Sequence, residues 1–138
     1  MIKHITQDDI KAMEQRERAR LINSLSGFKS ANLIGSQNAS GITNLAIVSS
    51  VFHLGADPAL IGMIIRPDTV PRDTLSNIKA TGVYTINHVN SLIWQQAHQT
   101  SARYEESESE FEKVALTEQF ENGINAPFVG ESQAKFAL

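Results

Sequence analysis

Apolar residues follow a helical spacing in the first part of the chain. The positions that fall roughly on one face are Ile10, Met13, Leu21, Ile22 and Leu25. Thr6 stands before the first turn, where a hydroxyl can cap free backbone N–H groups, and Gly27 stands just past the end. The pattern predicts one amphipathic helix over residues 7–25, largely solvated and packed on one side.

Shorter apolar runs, typical of strands, follow this helix. Residues 31–37 and 42–50 predict two strands, and the polar segment 38–41 between them has the length and the glycine of a hairpin connector. A turn is expected at residues 55–58. The run 60–65, Leu-Ile-Gly-Met-Ile-Ile, is continuously apolar, which predicts a central strand buried on both faces.

The second half of the chain is less regular. A helix is predicted from residue 72 or 73 to residue 80, with Gly82 as its stop, and a strand over residues 83–89. Residues 91–106 can form a further helix, and an acidic loop after it feeds a short helix. A last strand begins near Ala134.

These elements describe a mainly β chain with flanking helices. The sequence has no internal repeat and no linker, so residues 1–138 are expected to form one domain. Residues 1–27 hold its leading helix and residues 28–138 its strands. Apolar strands separated by short turns favour a small barrel.

The composition narrows the function classes. The 138 residues include no cysteine, and the four histidines lack metal-ligand spacing, so no metal site is predicted. A net charge of -3 gives no general reason to bind nucleic acid. No apolar run approaches the ~18 residues of a membrane span, and the first residues lack the apolar stretch of a signal peptide. We therefore expect a cytoplasmic protein with neither a membrane nor a nucleic acid as partner.

A dense polar cluster stands out, although no familiar catalytic motif is present and no catalytic residue is predicted. It lies between Ile64 and Ile78, at the exit of the apolar run and the start of the next helix, and its members are Arg66, Asp68, Thr69, Arg72, Asp73, Thr74, Ser76 and Asn77. A helix start with two arginines and threonine hydroxyls suits a phosphate monoester. In the alternative, Asp73 or Thr74 merely caps the helix, Arg72 is solvated and Arg66 pairs with Asp68. Both interpretations stay open on the residues alone.

A second stretch, residues 43–50, places Asn44, Ser49 and Ser50 among apolar residues. Such a strand can line an apolar pocket whose few polar groups orient a flat heteroaromatic ligand. The plainer interpretation is a barrel strand with one polar row facing solvent.

Three motifs in this order resemble the flavin reductase-like family of FMN-binding split barrels. They are G-x-T-N-L-A-x-x-S-S-x-F over residues 41–52, A-D-P-A-L-I-G-M over 56–63, and R-P-D-T-V-P-R-D-T-L-x-N-I-x-x-T-G-x-Y-x-I-N over 66–87. Residues 109–116 and 126–135 are also similar to that family's pattern. The resemblance extends from about residue 31 to the end.

The resemblance implies a Greek-key split barrel that forms a homodimer and holds FMN near the subunit interface. Family members pass a hydride from NADH or NADPH to the flavin or act as flavoprotein electron carriers, so the resemblance implies a flavin reductase-like oxidoreductase. The positions that correspond to isoalloxazine and ribityl contacts are Asn44, Ala46, Ile47, Ser49 and Ser50. Those that correspond to phosphate contacts are Arg66, Thr69, Arg72 and Thr74. Asn77 is taken as a structural residue of the short helix.

Alternatives to a reductase remain open. A non-catalytic flavin-binding electron carrier would use the same site without a productive nicotinamide pocket. Family members usually continue well past the position of Leu138, so the barrel is either incomplete here and inactive, or completed by a partner subunit. An oligonucleotide-binding barrel expects basic strands interleaved with aromatics, and 7% aromatic residues with an acidic balance disfavour it.

Overall fold

The computed structural model describes residues 4–66, 72–105 and 107–138. The chain begins with a helix α1, Gln7–Ala12. Its cap is reciprocal, because the Asp9 backbone N–H donates to Thr6 Oγ1 at 3.2 Å and the Thr6 N–H donates to the Asp9 carboxylate at 2.8 Å. Thr6 is thus the N-cap, as the sequence predicts.

The single helix expected over residues 7–25 is wrong, because the chain forms two helices. Met13 adopts an extended conformation and ends the first, and the second, α2, spans Gln15–Ser24. Glu14 caps α2 by accepting hydrogen bonds from the backbone N–H groups of Arg16 and Glu17. A carboxylate within the predicted helix therefore starts a new one. No described residue of α1 or α2 is fully buried, but Ile10, Met13 and Leu21 of the predicted apolar face are half-buried, whereas Ile22 and Leu25 are exposed.

Eight strands and three further helices make up the rest of the described chain, in agreement with a mainly β fold with flanking helices. The strands are β1 Asn32–Gln37, β2 Thr43–Val48, β3 Val51–Ala56, β4 Ala59–Met63, β5 Thr85–His88, β6 Glu118–Gln119, β7 Phe128–Val129 and β8 Lys135–Ala137; the helices are α3 Asp73–Thr81, α4 Trp94–Gln99 and α5 Glu110–Val114. The main sheet is antiparallel, in the order β2-β1-β5-β8, while β3–β4 and β6–β7 form two-stranded sheets.

The β1–β2 connector is the polar turn that the sequence predicts. Asn38 Oδ1 accepts hydrogen bonds from the backbone N–H groups of Ser40 and Ile42, both at 2.9 Å. Gly41 has φ 85, a left-handed conformation that glycine adopts without a Cβ clash. Local side-chain chemistry thus sets this turn.

The two faces of the main sheet pack against different helices. Leu33 and Leu45 lie on the face covered by α4 and α5, in a core that also contains Ile93, Ala97, Phe111, Val114, Leu116 and Val129. Side chains alternate along a strand, so Ile34, Ser36, Asn44 and Ala46 lie on the opposite face, where α3 packs against β1 and β2. This second face carries the candidate site.

The strand predicted as central and buried is instead exposed. In β4 the Leu60 side chain is 50% exposed and Ile61 is 39% exposed. β4 pairs with β3 alone, because the chain turns back at residues 57–58 and the two strands form a hairpin apart from the main sheet. An apolar run alone therefore did not determine burial.

The helix predicted near residues 72–80 is present as α3. Gly82 closes it with φ 72, and its N–H donates to Ile78 O at 2.9 Å. The predicted strand 83–89 appears as β5 and the last strand as β8, but the helix predicted over residues 91–106 is limited to α4. Among the residues that the structure describes, no helix has the length and apolar character needed to cross a bilayer.

Candidate functional site

A cavity of about 430 Å³ lies between the end of β2, the exit of β4 and the start of α3. Its walls combine apolar side chains with hydroxyl and guanidinium groups. The lining residues are Ala46, Ile47, Val48, Ser49, Ser50, Met63, Ile64, Ile65, Arg66, Arg72, Thr74 and Leu75. The volume lies in the range of about 300–1,000 Å³ typical of small-molecule and cofactor sites.

The two strand segments of this wall are joined directly. The Ile64 backbone N–H donates to Ser50 O at 3.2 Å, and Ser50 Oγ donates to Ile64 O at 2.7 Å. The β3–β4 hairpin thus returns the chain to the point where β2 ended. Arg66 follows two residues later and is placed at the cavity by this return.

The start of α3 supplies the other wall. Arg72 is the N-cap residue, and no side-chain cap hydrogen bond is present there. The capping by Asp73 or Thr74 that the alternative expected is therefore wrong. Its pairing of Arg66 with Asp68 stays a prediction, because Asp68 lies outside the described residues. Backbone N–H groups of a first helical turn carry partial positive charge, and Arg72 and Thr74 line the cavity beside them. An anion is the group that this end of the cavity suits.

Seven of the nine residues predicted for the site line this single cavity: Ala46, Ile47, Ser49, Ser50, Arg66, Arg72 and Thr74. Thr69 lies outside the described residues. Asn44 is 8% exposed and lies behind the wall, where its Nδ2 donates to Thr74 Oγ1 at 2.9 Å. The residues predicted from β2 and from the start of α3 thus meet at one cavity. The contact between Asn44 and Thr74 was not predicted from the sequence.

Buried polar groups continue the contact of Asn44 across the sheet. Asn44 Nδ2 also lies 3.4 Å from Ser36 Oγ, and Asn77 Nδ2 donates to the same oxygen at 3.2 Å. Ser36 and Asn77 are buried, and neither lines the cavity. These hydrogen bonds join the first two turns of α3 to β1 and β2.

The outer edge of β2 is covered by side chains from the α4–α5 region. The Leu45 N–H donates to Glu110 Oε2 at 2.9 Å, and the Ile47 N–H donates to Thr100 Oγ1 at 3.1 Å. Burial raises the pKa of Glu110 above its ordinary value, the hydrogen bond from Leu45 opposes that rise, and the nearby charge of Asp73 adds a little to it. These contacts hold the strand that forms one wall of the cavity.

Five lining residues were not predicted from the sequence. The first group, Met63, Ile64 and Ile65, belongs to the run that was expected to be buried, while Val48 ends β2 and Leu75 lies in the first turn of α3. The signal for the first group was present, since an apolar run that ends at an arginine can line a pocket as well as fill a core. In the described ranges, no three His, Asp or Glu side chains are grouped so that they could hold a metal ion.

The chemistry of the cavity suits a molecule with a flat apolar part and an anionic end. Ala46, Met63 and Ile64 provide apolar surface along one part of the wall. Arg66 and Arg72 bring two positive charges to a chain whose net charge is -3. Guanidinium groups with a hydroxyl nearby match the oxygens of a phosphate monoester. FMN has both parts, so the residues present fit it.

Comparison with protein families agrees with this chemistry. A family model described as the flavin reductase like domain matches residues 27–137. The chain belongs to this family. The model spans all eight strands, the cavity and helices α3 to α5, and it begins just after α2.

Solved structures show the split-barrel fold of this flavin reductase-like chain. A candidate flavin reductase with a split barrel domain from Shewanella frigidimarina is 60% identical, with a TM-score of 0.92, over 98% of this chain and 67% of that one. Nitrilotriacetate monooxygenase component B from Bacillus cereus is 20% identical, with a TM-score of 0.82, over 99% of this chain and 67% of that one. The second likeness concerns the fold alone.

Curated relatives of the flavin reductase-like chain are more distant. An uncharacterized protein of Halalkalibacterium halodurans is 25% identical over 126 residues, which are 90% of this chain and 60% of the relative. An uncharacterized protein of Aquifex aeolicus is 26% identical over 98 residues, 70% of this chain and 50% of the relative. The chain thus spans about half to three fifths of the length of these relatives.

Proposed function

We propose that this chain binds FMN in the cavity at the end of β2 and acts as a flavin reductase-like oxidoreductase that accepts hydride from NADH or NADPH. The observation that carries the proposal is the meeting of Arg66, Arg72 and Thr74 with the apolar end of β2 in one cavity. Family membership supports the flavin, and the geometry supports its phosphorylated form.

Each part of the cavity has a role in this proposal. Arg66 and Arg72 pair with phosphate oxygens, and the Thr74 hydroxyl donates a further hydrogen bond. Ala46, Ile47 and Ser49, with the adjacent backbone, lie along the ring system and the ribityl chain, and Ser50 holds Ile64 in the wall. When bound, FMN supplies the hydride-accepting ring, so the chain needs no acid–base side chain of its own.

Binding of two related ligands tests the phosphate role. Arg72→Ala should weaken FMN binding by roughly tenfold or more, because a charge-assisted hydrogen bond is lost, and should change riboflavin binding little. Arg66→Ala should act in the same direction. Arg20→Ala, which removes an exposed arginine on α2, is the matched control and should leave both affinities unchanged. Equal losses for FMN and riboflavin would reject the phosphate role, and no flavin binding by the folded wild type would reject the cofactor.

Rapid mixing separates a reductase from an electron carrier. The FMN-loaded protein, mixed anaerobically with NADH or NADPH, should lose its visible flavin absorbance in a step that saturates with nucleotide. Bleaching by dithionite but by neither nucleotide would instead identify a flavin-binding electron carrier.

We further propose that the chain forms a homodimer through the β3–β4 hairpin. The exposed apolar side chains of this region are Phe52, Leu54, Leu60, Ile61 and Ile64. Ile64 also lines the cavity, so a second copy seated on the hairpin would cover the side of the site that it borders. A patch of this kind is typical of an interface.

Sedimentation tests the dimer. Leu60→Asp should shift the wild-type dimer towards monomer at micromolar concentration, because the interface would bury an unpaired charge. Lys79→Asp, an exposed change on α3, is the control and should leave the dimer intact. A wild-type monomer at all concentrations would contradict the proposal. The cytoplasmic location stays a prediction.

A further inference from the structure

Two buried side chains behind the cavity wall are linked by hydrogen bonds to a hydroxyl that lines it. Ser36 lies in β1 and is 0% exposed, and Asn77 lies in α3 and is 6% exposed. Neither lines the cavity, yet both belong to the hydrogen-bonded group that includes Thr74, which does.

The donors and acceptors among these hydrogen-bonded side chains determine which hydrogen of Thr74 stays available. Ser36 Oγ accepts from Asn77 Nδ2 at 3.2 Å and from Asn44 Nδ2 at 3.4 Å. The amide of Asn44 also donates to Thr74 Oγ1 at 2.9 Å. Because the threonine oxygen is an acceptor in this contact, the hydroxyl hydrogen of Thr74 remains available to another acceptor.

We infer that Ser36 and Asn77 are positioning residues that, through Asn44, aim the Thr74 hydroxyl at the phosphate of a bound flavin. The inference rests on the proposed function, since it concerns the anionic end of the same cavity. Asn77 ties the second turn of α3 to β1, and Asn44 ties its first turn to β2, so the helix start is held at two points. A donated hydrogen bond also polarises the hydroxyl and strengthens the bond that it donates.

In this arrangement, two residues that do not line the cavity affect its preference for FMN over riboflavin. The apolar part of the cavity, which binds the flavin ring, does not include Ser36 or Asn77. Loss of either side chain should therefore weaken the recognition of phosphate and leave the recognition of the ring unchanged. A residue with a merely structural role would weaken both ligands together or neither.

The test measures the dissociation constants of FMN and riboflavin by quenching of flavin fluorescence. Ser36→Ala removes one oxygen and should weaken FMN roughly tenfold, with riboflavin changed less than about twofold. Asn77→Ala should give the same pattern. Ser132→Ala is the matched control, because it removes a buried hydroxyl whose bonds go to the carbonyls of His88 and Ala134, outside the cavity. The control should leave the ratio of the two constants unchanged.

A double substitution tests whether the effect passes through Thr74. Thr74→Val alone should reduce the preference for FMN, and adding Ser36→Ala should reduce it no further. An additional loss in the double variant, or an unchanged FMN preference in Ser36→Ala, would overturn the inference. Thermal melting of each ligand-free variant verifies that it is folded.

The outcomes distinguish this inference from the proposed function. A wild type that prefers FMN, with variants that keep the full preference, overturns the inference alone. A folded wild type that binds neither flavin overturns both.

Discussion

Strands β1 and β4 differ in burial in the direction opposite to their composition. β1, Asn-Leu-Ile-Gly-Ser-Gln, is half polar, yet Leu33, Ile34 and Ser36 are completely buried. β4, Ala-Leu-Ile-Gly-Met, is apolar throughout, yet Leu60 is half exposed. β1 lies between β2 and β5 with helices on both faces, whereas β4 pairs with β3 alone.

The difference shows what decides burial in this fold. The number of neighbouring strands and covering helices, rather than the hydrophobicity of the strand, sets whether its side chains meet solvent. The polar residues of β1 are tolerated because they have partners, as with Ser36 and the amides of Asn44 and Asn77. The apolar residues of β4 remain available for another molecule to cover.

Substitutions of one glycine in each strand should give the largest difference in stability between β1 and β4. A Cβ at Gly35 would lie 2.1 Å from Pro127 O and 2.5 Å from Thr85 Oγ1, which themselves form a buried hydrogen bond. Gly35→Ala should lower the free energy of unfolding by between about 2 and 6 kcal/mol, from overpacking and loss of that bond. Gly62→Ala, whose Cβ meets the movable ring of Phe52, should cost less than about 1 kcal/mol. Urea unfolding measures both, and equal losses would contradict the contrast.

Leucines in the two strands give the next largest effect. Leu33→Ala should lower the free energy of unfolding by about 2–5 kcal/mol, because it leaves a cavity between the sheet and α4–α5. Leu60→Ala should change it by about 0.5 kcal/mol or less in the dilute monomer. If Leu60→Ala lowers the free energy of unfolding by much more than this, and the loss grows with protein concentration, the hairpin is buried between two copies. That result would support the proposed dimer.

The turn of the β1–β2 hairpin should contribute less than its core. Asn38→Ala removes the acceptor for two backbone N–H groups and should cost about 1 kcal/mol. Asn38→Asp keeps the acceptor and is the control, expected to retain most of the stability. Thermal melting of the wild type and the two variants measures these stabilities. If Asn38→Asp is as unstable as Asn38→Ala, the side-chain oxygen does not have this role.

The smallest expected effect concerns Glu110 at the edge of β2. Because burial raises its pKa in the folded state, ionisation opposes folding: the stability is fully present below the ordinary value of 4.5 and is partly lost as pH rises through the folded pKa. Glu110→Gln keeps an acceptor for the Leu45 N–H and removes the charge. The stability of the wild type relative to Glu110→Gln should therefore fall as pH rises upward from 4.5. Urea unfolding measures the difference in stability between the two proteins. If that difference does not change with pH, the pKa of Glu110 is not raised in the folded state.

Local chemistry made a good part of the fold predictable from the sequence. Asn38 and Gly41 define the β1–β2 turn, and Gly82 ends α3, because the relevant contacts lie within a few residues. The prediction of one long helix was wrong because Glu14 caps a second helix. A glutamate can either continue a helix or cap a new one, so the sequence did not distinguish the two. The exposure of β4 could not be predicted because it depends on strand partners far away in the sequence.

The site was predictable to a similar degree. The motifs around Ala46 and Thr74 identified two walls of the cavity, and the hairpin geometry then brought Arg66 to them. The hydrogen-bonded position of Asn44 depends on Ser36 and Asn77, which lie on two other elements. No spacing within one motif carries that information, so only the folded arrangement reveals it.

The covered edge of β2 has a consequence for the behaviour of the protein in a crowded solution. An open strand edge recruits other chains into continuous sheets. Here the outward N–H groups of Leu45 and Ile47 are already bonded to the side chains of Glu110 and Thr100. An incoming strand would have to displace both bonds before it could add to the sheet. The strand that forms a wall of the candidate flavin pocket is thereby kept from serving as a template for aggregation.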